Sequence, residues 1–381
     1  MPVKFLHSAD WQMGMQALQA GEKAKEVRAK RFETAARVAA LAKREAVDFV
    51  LLAGDLFEHH DVDDVVVRKT VAVLNDFAPI PVFVLPGNHD PLVAGGVWDR
   101  QRWQDVGKHV RLLREPTEVL VQDDVALYPS PLTQKQSRLD PTAWIPPRGE
   151  ADRRIRIGIA HGALDVLPED VNFPIAPTRA AEVGLDYLAL GDWHGFRQSG
   201  RTVYPGTMEQ TSFSEKDPGN VVVVEIAHAG AEPVVSKHRV GQLVWSEHRP
   251  TLQDVTDVEN LRTLLIQTGP QATPLSSQIL RVTPQIAPEA SPVVLTELQS
   301  LREELIEAAF FIDWPEEALA LAAAADVVLP EGVLADVDFD LAAILGGKIP
   351  EGPGREMASA DPTVVQEARA LIRRLATEVA G

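Results

Sequence analysis

The sequence predicts an α/β protein whose strands deliver polar side chains to one edge of a sheet, and three observations predict it. Short apolar runs rich in branched residues recur along the first 226 residues, and each stops at glycine or a polar residue, as strands buried on both faces do. Stretches with helical spacing of apolar residues separate the early runs. Five of these runs also end in a residue type able to hold a cation, and in α/β sheets ligand sites form at the carboxyl ends of strands.

Residues 3–10 (Val-Lys-Phe-Leu-His-Ser-Ala-Asp) form the first strand, which leads into Trp11-Gln12-Met13-Gly14. A helix over residues 26–44 follows, with Val27, Phe32, Ala35, Ala36, Val38, Ala39 and Leu41 on one broad apolar face. Its opening turns carry Lys23, Lys25, Arg28, Lys30 and Arg31, read as a solvated face in preference to a phosphate-binding one. The run from Phe49 to Ala53 ends in Gly54, which lets the backbone turn tightly and present Asp55. A carboxylate there is costly to bury alone, so a cation is its expected company.

A helix near residues 65–77 precedes a strand that runs into Gly87-Asn88-His89-Asp90. Residues 154–162 make another strand reaching His161, and residues 185–195 one reaching Asp192 and His194. The proline-rich residues 139–152 read as a loop. Residues 203–206 and 220–226 read as strands closing a domain over residues 1–249. A smaller unit is expected over 250–340, with a strand at 278–283 and a helix at 292–309. Residues 341–381 read as a linker and a terminal helix from Pro362, with Val365, Ala368, Leu371, Ile372, Leu375 and Val379 on one stripe.

At 381 residues the chain can bury a sizeable core, and no apolar run is long enough to span a bilayer. The N-terminus enters a strand without a signal-peptide layout, so a cytoplasmic location is expected. The absence of cysteine excludes disulfides and thiolate metal sites and leaves His, Asp, Asn and Gln as ligands. Of the formal charge of −18, residues 251–381 hold −13, from 8 Lys+Arg and 21 Asp+Glu. A nucleic-acid-binding protein usually carries a basic footprint, so any grip on DNA must come from a local patch, from metal or from a partner.

Asp10, Asp55, Asn88-His89, His161 and Asp192-x-His194 each close an apolar strand, and that coincidence carries more than any one of them. Together they resemble the ordered motifs of the calcineurin-like metallophosphoesterases. Within that family, His7-Ser8-Ala9-Asp10-Trp11, Gly54-Asp55-Leu56-Phe57 and the box over residues 204–215 (Tyr-Pro-Gly-Thr-Met-Glu-Gln-Thr-Ser-Phe-Ser-Glu) are similar to the SbcD subfamily, the nuclease subunit of a DNA double-strand-break processing complex. The resemblance covers about residues 1–250.

The resemblance implies a four-layer α/β/β/α sandwich with a small α/β cap domain and a C-terminal helical tail. It also implies two divalent cations: Asp55 bridging both, Asp10 and His194 on the first, and Asn88, His161 and residue 192 on the second. His89 would be the catalytic group, stabilising or protonating the leaving alkoxide. Two positions depart from the pattern. Gln12 stands where the family has histidine after Asp10, and Asp192 where it has the first histidine of Gly-His-x-His. Trading two nitrogen ligands for oxygen favours Mn²⁺, or Mg²⁺, over Zn²⁺, and an active site is favoured over a dead one.

The leading expectation is therefore a metal-dependent DNA nuclease in repair or DNA processing. It would work as a homodimer beside an SMC-like, SbcC-like coiled-coil ATPase, on which the terminal helix docks. A small-substrate phosphodiesterase and a catalytically impaired structural subunit are the alternatives. Trp11 and Trp193 are expected to pack beneath the site in preference to stacking on a base or sugar, and Trp98 and Trp103 to pack in a core in preference to wedging against DNA. His59 and His60 fit an exposed loop at least as well as a phosphate contact.

Overall fold

In a computed structural model of the chain, residues 2–164, 172–266, 273–287, 292–314, 329, 332–350, 352–361, 364–365, 368–369 and 371–373 are described. Two compact units emerge, Met1–Val244 and Trp245–Gly381. In the first the strands are β1 (Val3–Ser8), β2 (Phe49–Ala53), β3 (Val82–Leu85), β4 (Val110–Leu112), β5 (Val119–Gln122), β6 (Val125–Ser130), β7 (Ile155–His161), β8 (Tyr187–Gly191), β9 (Arg197–Ser199), β10 (Thr202–Tyr204), β11 (Asn220–Ile226) and β12 (Val234–Arg239). The helices are α1 (Ala24–Arg44), α2 (Asp64–Asn75) and α3 (Arg179–Glu182).

The strands make two sheets of six, ordered β12-β11-β1-β2-β3-β4 and β5-β6-β7-β8-β10-β9. β1 through β4 pair in parallel, as do β6, β7 and β8, so their carboxyl ends lie along one edge of each sheet. Alternate residues of these strands enter different cores, which is why the sequence reads as unbroken apolar runs. Phe5, Phe49, Leu51, Ile157, Ile159, Tyr187 and Ala189 meet between the sheets. Leu6, Val50 and Leu52 pack outward against Ala35, Val38, Val67 and Leu74 of α1 and α2. Ala160, Leu188 and Leu190 pack on the far side against Ala180 and Val183. The layers are helix, sheet, sheet, helix, the four-layer α/β/β/α sandwich.

The second unit has a sheet of β13 (Val244–His248), β15 (Gln278–Val282) and β17 (Phe311–Asp313), a pair of β14 (Thr251–Leu252) and β16 (Gln285–Ile286), and helices α4 (Val255–Leu265), α5 (Pro292–Ala308) and α6 (Val333–Leu345). Leu261, Leu280, Leu298 and Leu305 share its core. Of the terminal stripe, Val365 is buried, whereas Leu375 and Val379 lie outside the described residues. No helix among the described residues is long and apolar enough to cross a membrane.

One strand went unforeseen in the sequence, and one expectation needs correction. β6 was not foreseen because Pro129, which lacks a ladder donor, interrupts its run, yet all six of its residues are buried. Arg31 does not belong to a solvated face: it is 1% exposed. It lies four residues after Val27 and four before Ala35, on the stripe of α1 that faces the sheet. Its guanidinium donates to the carbonyls of Trp11 (2.7 Å), Glu209 (2.8 Å) and Gln210 (3.2 Å). Lys23 and Lys30 do face solvent, each paired along the helix with Glu26 and Glu33.

Removing the Arg31 head group would leave three carbonyls without their donor. Arg31→Leu is therefore expected to lower the unfolding free energy by about 3 to 5 kcal/mol, read from urea denaturation. A loss below about 1 kcal/mol would mean those carbonyls find other donors.

Candidate functional site

The parallel strands end at the residues that the sequence singled out. Gly54 follows β2 with φ +90°, and a Cβ there would fall 2.1 Å from Nδ1 of His161, so only glycine allows β2 and β7 to end this close together. A Cβ on Gly87 would similarly lie 2.1 Å from Oδ1 of Asp55. Asp10, Gln12, Asp55 and Asp192 have φ of 52°, 44°, 50° and 106°, a region that non-glycine residues rarely adopt. Such strain, of order 1–3 kcal/mol per residue, persists where surrounding bonds over-determine it, and it concentrates at functional sites. Here the backbone N–H of Asp10 donates to Gly54 O (3.2 Å), that of Gln12 to Asp55 O (2.9 Å) and that of Asp192 to Oδ1 of Asp10 (3.1 Å).

Ligand atoms of Asp10, Asp55 and His161 all lie within 4.8 Å of one another. Nε2 of His161 is 2.8 Å from Oδ1 of Asn88, 3.4 Å from Oδ2 of Asp55 and 3.8 Å from Oδ1 of Asp192. Its Nδ1 donates to Ala53 O (3.0 Å), which fixes Nε2 as the nitrogen turned toward this group. Nδ1 of His194 donates to Oε1 of Glu215 (2.6 Å), and its Nε2 is 3.1 Å from Nε2 of Gln12. His89 is placed by its own N–H, which donates to Oδ1 of Asp55 (2.9 Å), and by Nδ1, which donates to Glu58 O (2.8 Å). These contacts link all eight residues: one group around His161, Asn88 and Asp192, a second around His194 and Gln12, with Asp10 and Asp55 between them.

Three carboxylates in this space need compensation. Burial pushes the Asp10 carboxyl up to about 6, against the pull of His161 and His194. Burial likewise raises Asp192. Asp55 also loses solvent, yet His161 and His89 hold it below the usual carboxylate range. Burial opposes the charge on His161, and Asp55, Asp10 and Asp192 together overturn it, holding the imidazole well above its ordinary range. Among the described residues, no Lys or Arg ion-pairs with any of the three carboxylates, and the ion pairs of Asp55 and Asp192 are both with His161. A buried excess of carboxylate, imidazole and amide donors fits a divalent cation, which would take the place of the shared protons.

The box over residues 204–215 turns out to be the support behind these groups, a role that no periodicity in the sequence signals. The Tyr204 hydroxyl donates to Gly162 O and accepts from Leu164 N, both at 2.7 Å, which ties down the chain after His161. The Thr207 hydroxyl is 2.7 Å from Asp10 O. The buried Glu209 carboxylate accepts from the N–H groups of Gln242 (2.9 Å) and Leu243 (2.8 Å) and from the Thr34 hydroxyl. Glu215, which orients His194, also accepts from Thr211 N at 2.9 Å. Asp90 was read only as part of a motif; its carboxylate accepts from Gly87 N (2.7 Å) and Phe57 N (2.9 Å), joining the loops after β2 and β3.

The aromatic expectations divide. Trp11 is buried, with its indole donating to Ser8 Oγ (2.8 Å), and Trp98 and Trp103 pack edge to face at 4.7 Å beside Phe57. Trp193 does not pack beneath the site: it is 51% exposed. Strand alternation would send it to the inter-sheet core with Tyr187 and Ala189, but the positive φ of Asp192 breaks the alternation just before it. His59 turns to Asp61, with Nδ1 2.5 Å from Oδ1, on a loop after Phe57.

A sequence profile described as calcineurin-like phosphoesterase matches residues 3–224. The chain is 26% identical over 235 residues to an uncharacterized metallophosphoesterase, YhaO, of Bacillus subtilis, covering 58% of this chain and 55% of that protein. It is 26% identical over 244 residues to the DNA double-strand break repair protein Mre11 of Methanosarcina mazei, covering 60% of this chain and 37% of that one. The match thus spans about half or less of these relatives' lengths. Among solved structures, the calcineurin-like phosphoesterase YfkN of Bacillus subtilis aligns with a TM-score of 0.40 at 12% identity, over 63% of this chain and 91% of that one.

A carboxylate that holds a ligating histidine typically sets metal affinity through ring orientation. Glu215→Ala is expected to weaken Mn²⁺ binding about 10- to 100-fold by calorimetry, with Glu215→Gln, whose amide oxygen still accepts from Nδ1, recovering part of it. Equal affinities in all three proteins would remove Glu215 from this role.

Proposed function

With residues 3–224 of its 381 matching the family profile, the chain belongs to the calcineurin-like phosphoesterases, and from this premise we propose that it is a metal-dependent nuclease cleaving DNA phosphodiester bonds. The observation that carries the reading is the convergence of Asp55, Asn88, Asp192 and Asp10 on His161, with His89 held beside them by Asp55 and Glu58. The choice of DNA is supported by the likeness to a protein named for DNA double-strand break repair and by the resemblance of residues 204–215 to the SbcD box.

In this reading Asp55 would be shared by two divalent cations, with Asp10, Gln12 and His194 available to hold one and Asn88, His161 and Asp192 the other, and Mn²⁺ or Mg²⁺ would suit the oxygen-rich set. The cations, when bound, activate water and neutralise charge on the phosphoryl oxygens. The protein's own groups do the rest. His89, with Nδ1 committed to Glu58 O, offers Nε2 to the leaving oxygen as hydrogen-bond donor or acid. Ala53 O and Glu215 keep the two ligating rings in their working tautomers.

The second unit supports a protein partner, which we read as an SMC-like coiled-coil ATPase joined by a homodimer of this chain. Phe339 and Ile349 are 75% and 73% exposed, and Val364 and Leu371 nearly half exposed. Arg369 and Arg373 are meanwhile engaged by Asp338 (3.0 and 2.7 Å), so these two residues are held while apolar side chains are left for another surface.

Cleavage of single- and double-stranded DNA should require Mn²⁺ or Mg²⁺ and vanish with chelator or with Asp55→Ala. His89→Ala should lower kcat by about 10²- to 10⁴-fold while Mn²⁺ affinity holds. Hydrolysis of p-nitrophenyl phosphate esters with none on DNA would move the substrate to small phosphodiesters, and full function in His89→Ala would leave a structural subunit. Deleting residues 355–381 should abolish capture of the ATPase in a pull-down; undiminished capture would refute the docking role.

A further inference from the structure

We infer that Trp193 is a stacking platform for a nucleobase adjacent to the reacting phosphodiester, and so a specificity-determining residue of the site; the inference rests on the nuclease reading above. The chain has seven tryptophans. Trp11, Trp98, Trp103, Trp245 and Trp314 are all 5% exposed or less, and Trp144 is half-buried, packed 6.1 Å from Tyr128. Trp193 alone departs from this, although strand alternation offers it a place in the core. An indole is among the largest apolar groups a chain can bury, so leaving half of it in water is an expense without a packing return.

The backbone around it is built to hold that position. The φ of 106° at Asp192 turns the chain outward, and Asp192 N is held by Oδ1 of Asp10. Residue 195 is glycine: a Cβ there would lie 2.0 Å from Lys216 O and 3.2 Å from Nε1 of Trp193, so an edge of the indole closely abuts the Gly195 backbone. One edge is thereby seated while half the side chain stays open to solvent.

Its neighbours fix what that surface can meet. Trp193 stands between Asp192, 3.8 Å from Nε2 of His161, and His194, whose Nε2 is 3.1 Å from Gln12. A phosphodiester held at this cluster carries a nucleoside on each side, and the flanking residue of the protein is the aromatic one. Base–aromatic stacking tolerates any sequence because every base has a π-face. It also needs no positive charge, which suits a chain with a formal charge of −18.

The test uses the full chain with Mn²⁺ and two oligonucleotides that differ only at the residue flanking the scissile phosphate, one with a base and the other a tetrahydrofuran abasic residue. The quantity read is the ratio of kcat/KM between them. The wild type should favour the base by roughly 5- to 100-fold. Trp193→Ala should bring the ratio close to one, and Trp193→Phe should restore part of it. A ratio unchanged in Trp193→Ala, including an equal loss on both substrates, would overturn the inference and leave Trp193 a structural role. If the wild type cleaves neither oligonucleotide, the nuclease reading fails by itself. Stacking is then judged from tryptophan fluorescence: quenching by a short single strand that disappears in Trp193→Phe sustains it, and equal quenching in the two proteins sinks it.

Discussion

The structure depends on one electrostatic constraint: Asp10 and Asp55 are buried beside the partly exposed Asp192, and among the described residues only histidines answer their charges. Isolated carboxylates cannot stay ionised in such surroundings without compensation. Asp10 and Asp192 are therefore pushed toward protonation, while Asp55, nearest to His161, stays charged. The same constraint explains the strained backbone. Four residues of the cluster sit at positive φ because the carboxylates must leave strands that come within contact distance of one another. Strain and charge crowding both oppose folding, and a bound cation relieves the second of them, so cation binding and folding of this edge are thermodynamically linked.

What holds the edge together without help from a cation is the sandwich. β1, β2, β3, β7 and β8 are each buried on both faces, so none can slide by a residue without exchanging one core for another. Register is consequently fixed, and with it the height at which each strand releases its polar residue. The box over residues 204–215 adds a second layer of control. Through Tyr204, Thr207, Glu209 and Glu215 it reaches the backbone after His161, the carbonyl of Asp10, the N–H groups of Gln242 and Leu243, and the ring of His194. Arg31 closes the network from α1 by binding the carbonyls of Trp11, Glu209 and Gln210. A single helix residue thus joins the segment after β1 to the segment that orients His194.

The strands and the polar residues that close them were legible in the sequence, because a strand buried on both faces leaves an unbroken apolar run and the polar residue that ends it stands out; the four-layer sandwich and the place of Gln12 came from the family resemblance. Support residues were harder to read. Glu215 orients His194 from 21 positions away, and nothing in local spacing announces such a contact. Arg31 was misread for a different reason: a charged residue in a basic run suggests solvent, while its four-residue spacing from Val27 and Ala35 puts it on the buried stripe. Trp193 was misread because an indole after a buried strand suggests a core, and only the φ of Asp192 reverses that. In each case the missing information was three-dimensional: a backbone angle, or a partner distant in sequence.

Gln12 and Asp192 alter the site in a consistent direction. An amide in place of an imidazole keeps a neutral donor, and rotation of the Gln12 side chain exchanges the nitrogen now facing His194 for its oxygen. Asp192 adds a negative charge where the family has a neutral ring. A cation would then be bound more tightly by charge, but the cluster it leaves would be less positive toward the phosphodiester of the proposed substrate, which itself carries a negative charge. The rest of the chain does little to offset this, since its formal charge is −18. If the substrate is DNA, as proposed, affinity for it would draw on contacts that do not depend on charge, or on a basic surface supplied by another protein. The exposed indole between Asp192 and His194 would be a contact of the first kind, placed beside the residue whose charge would make it necessary.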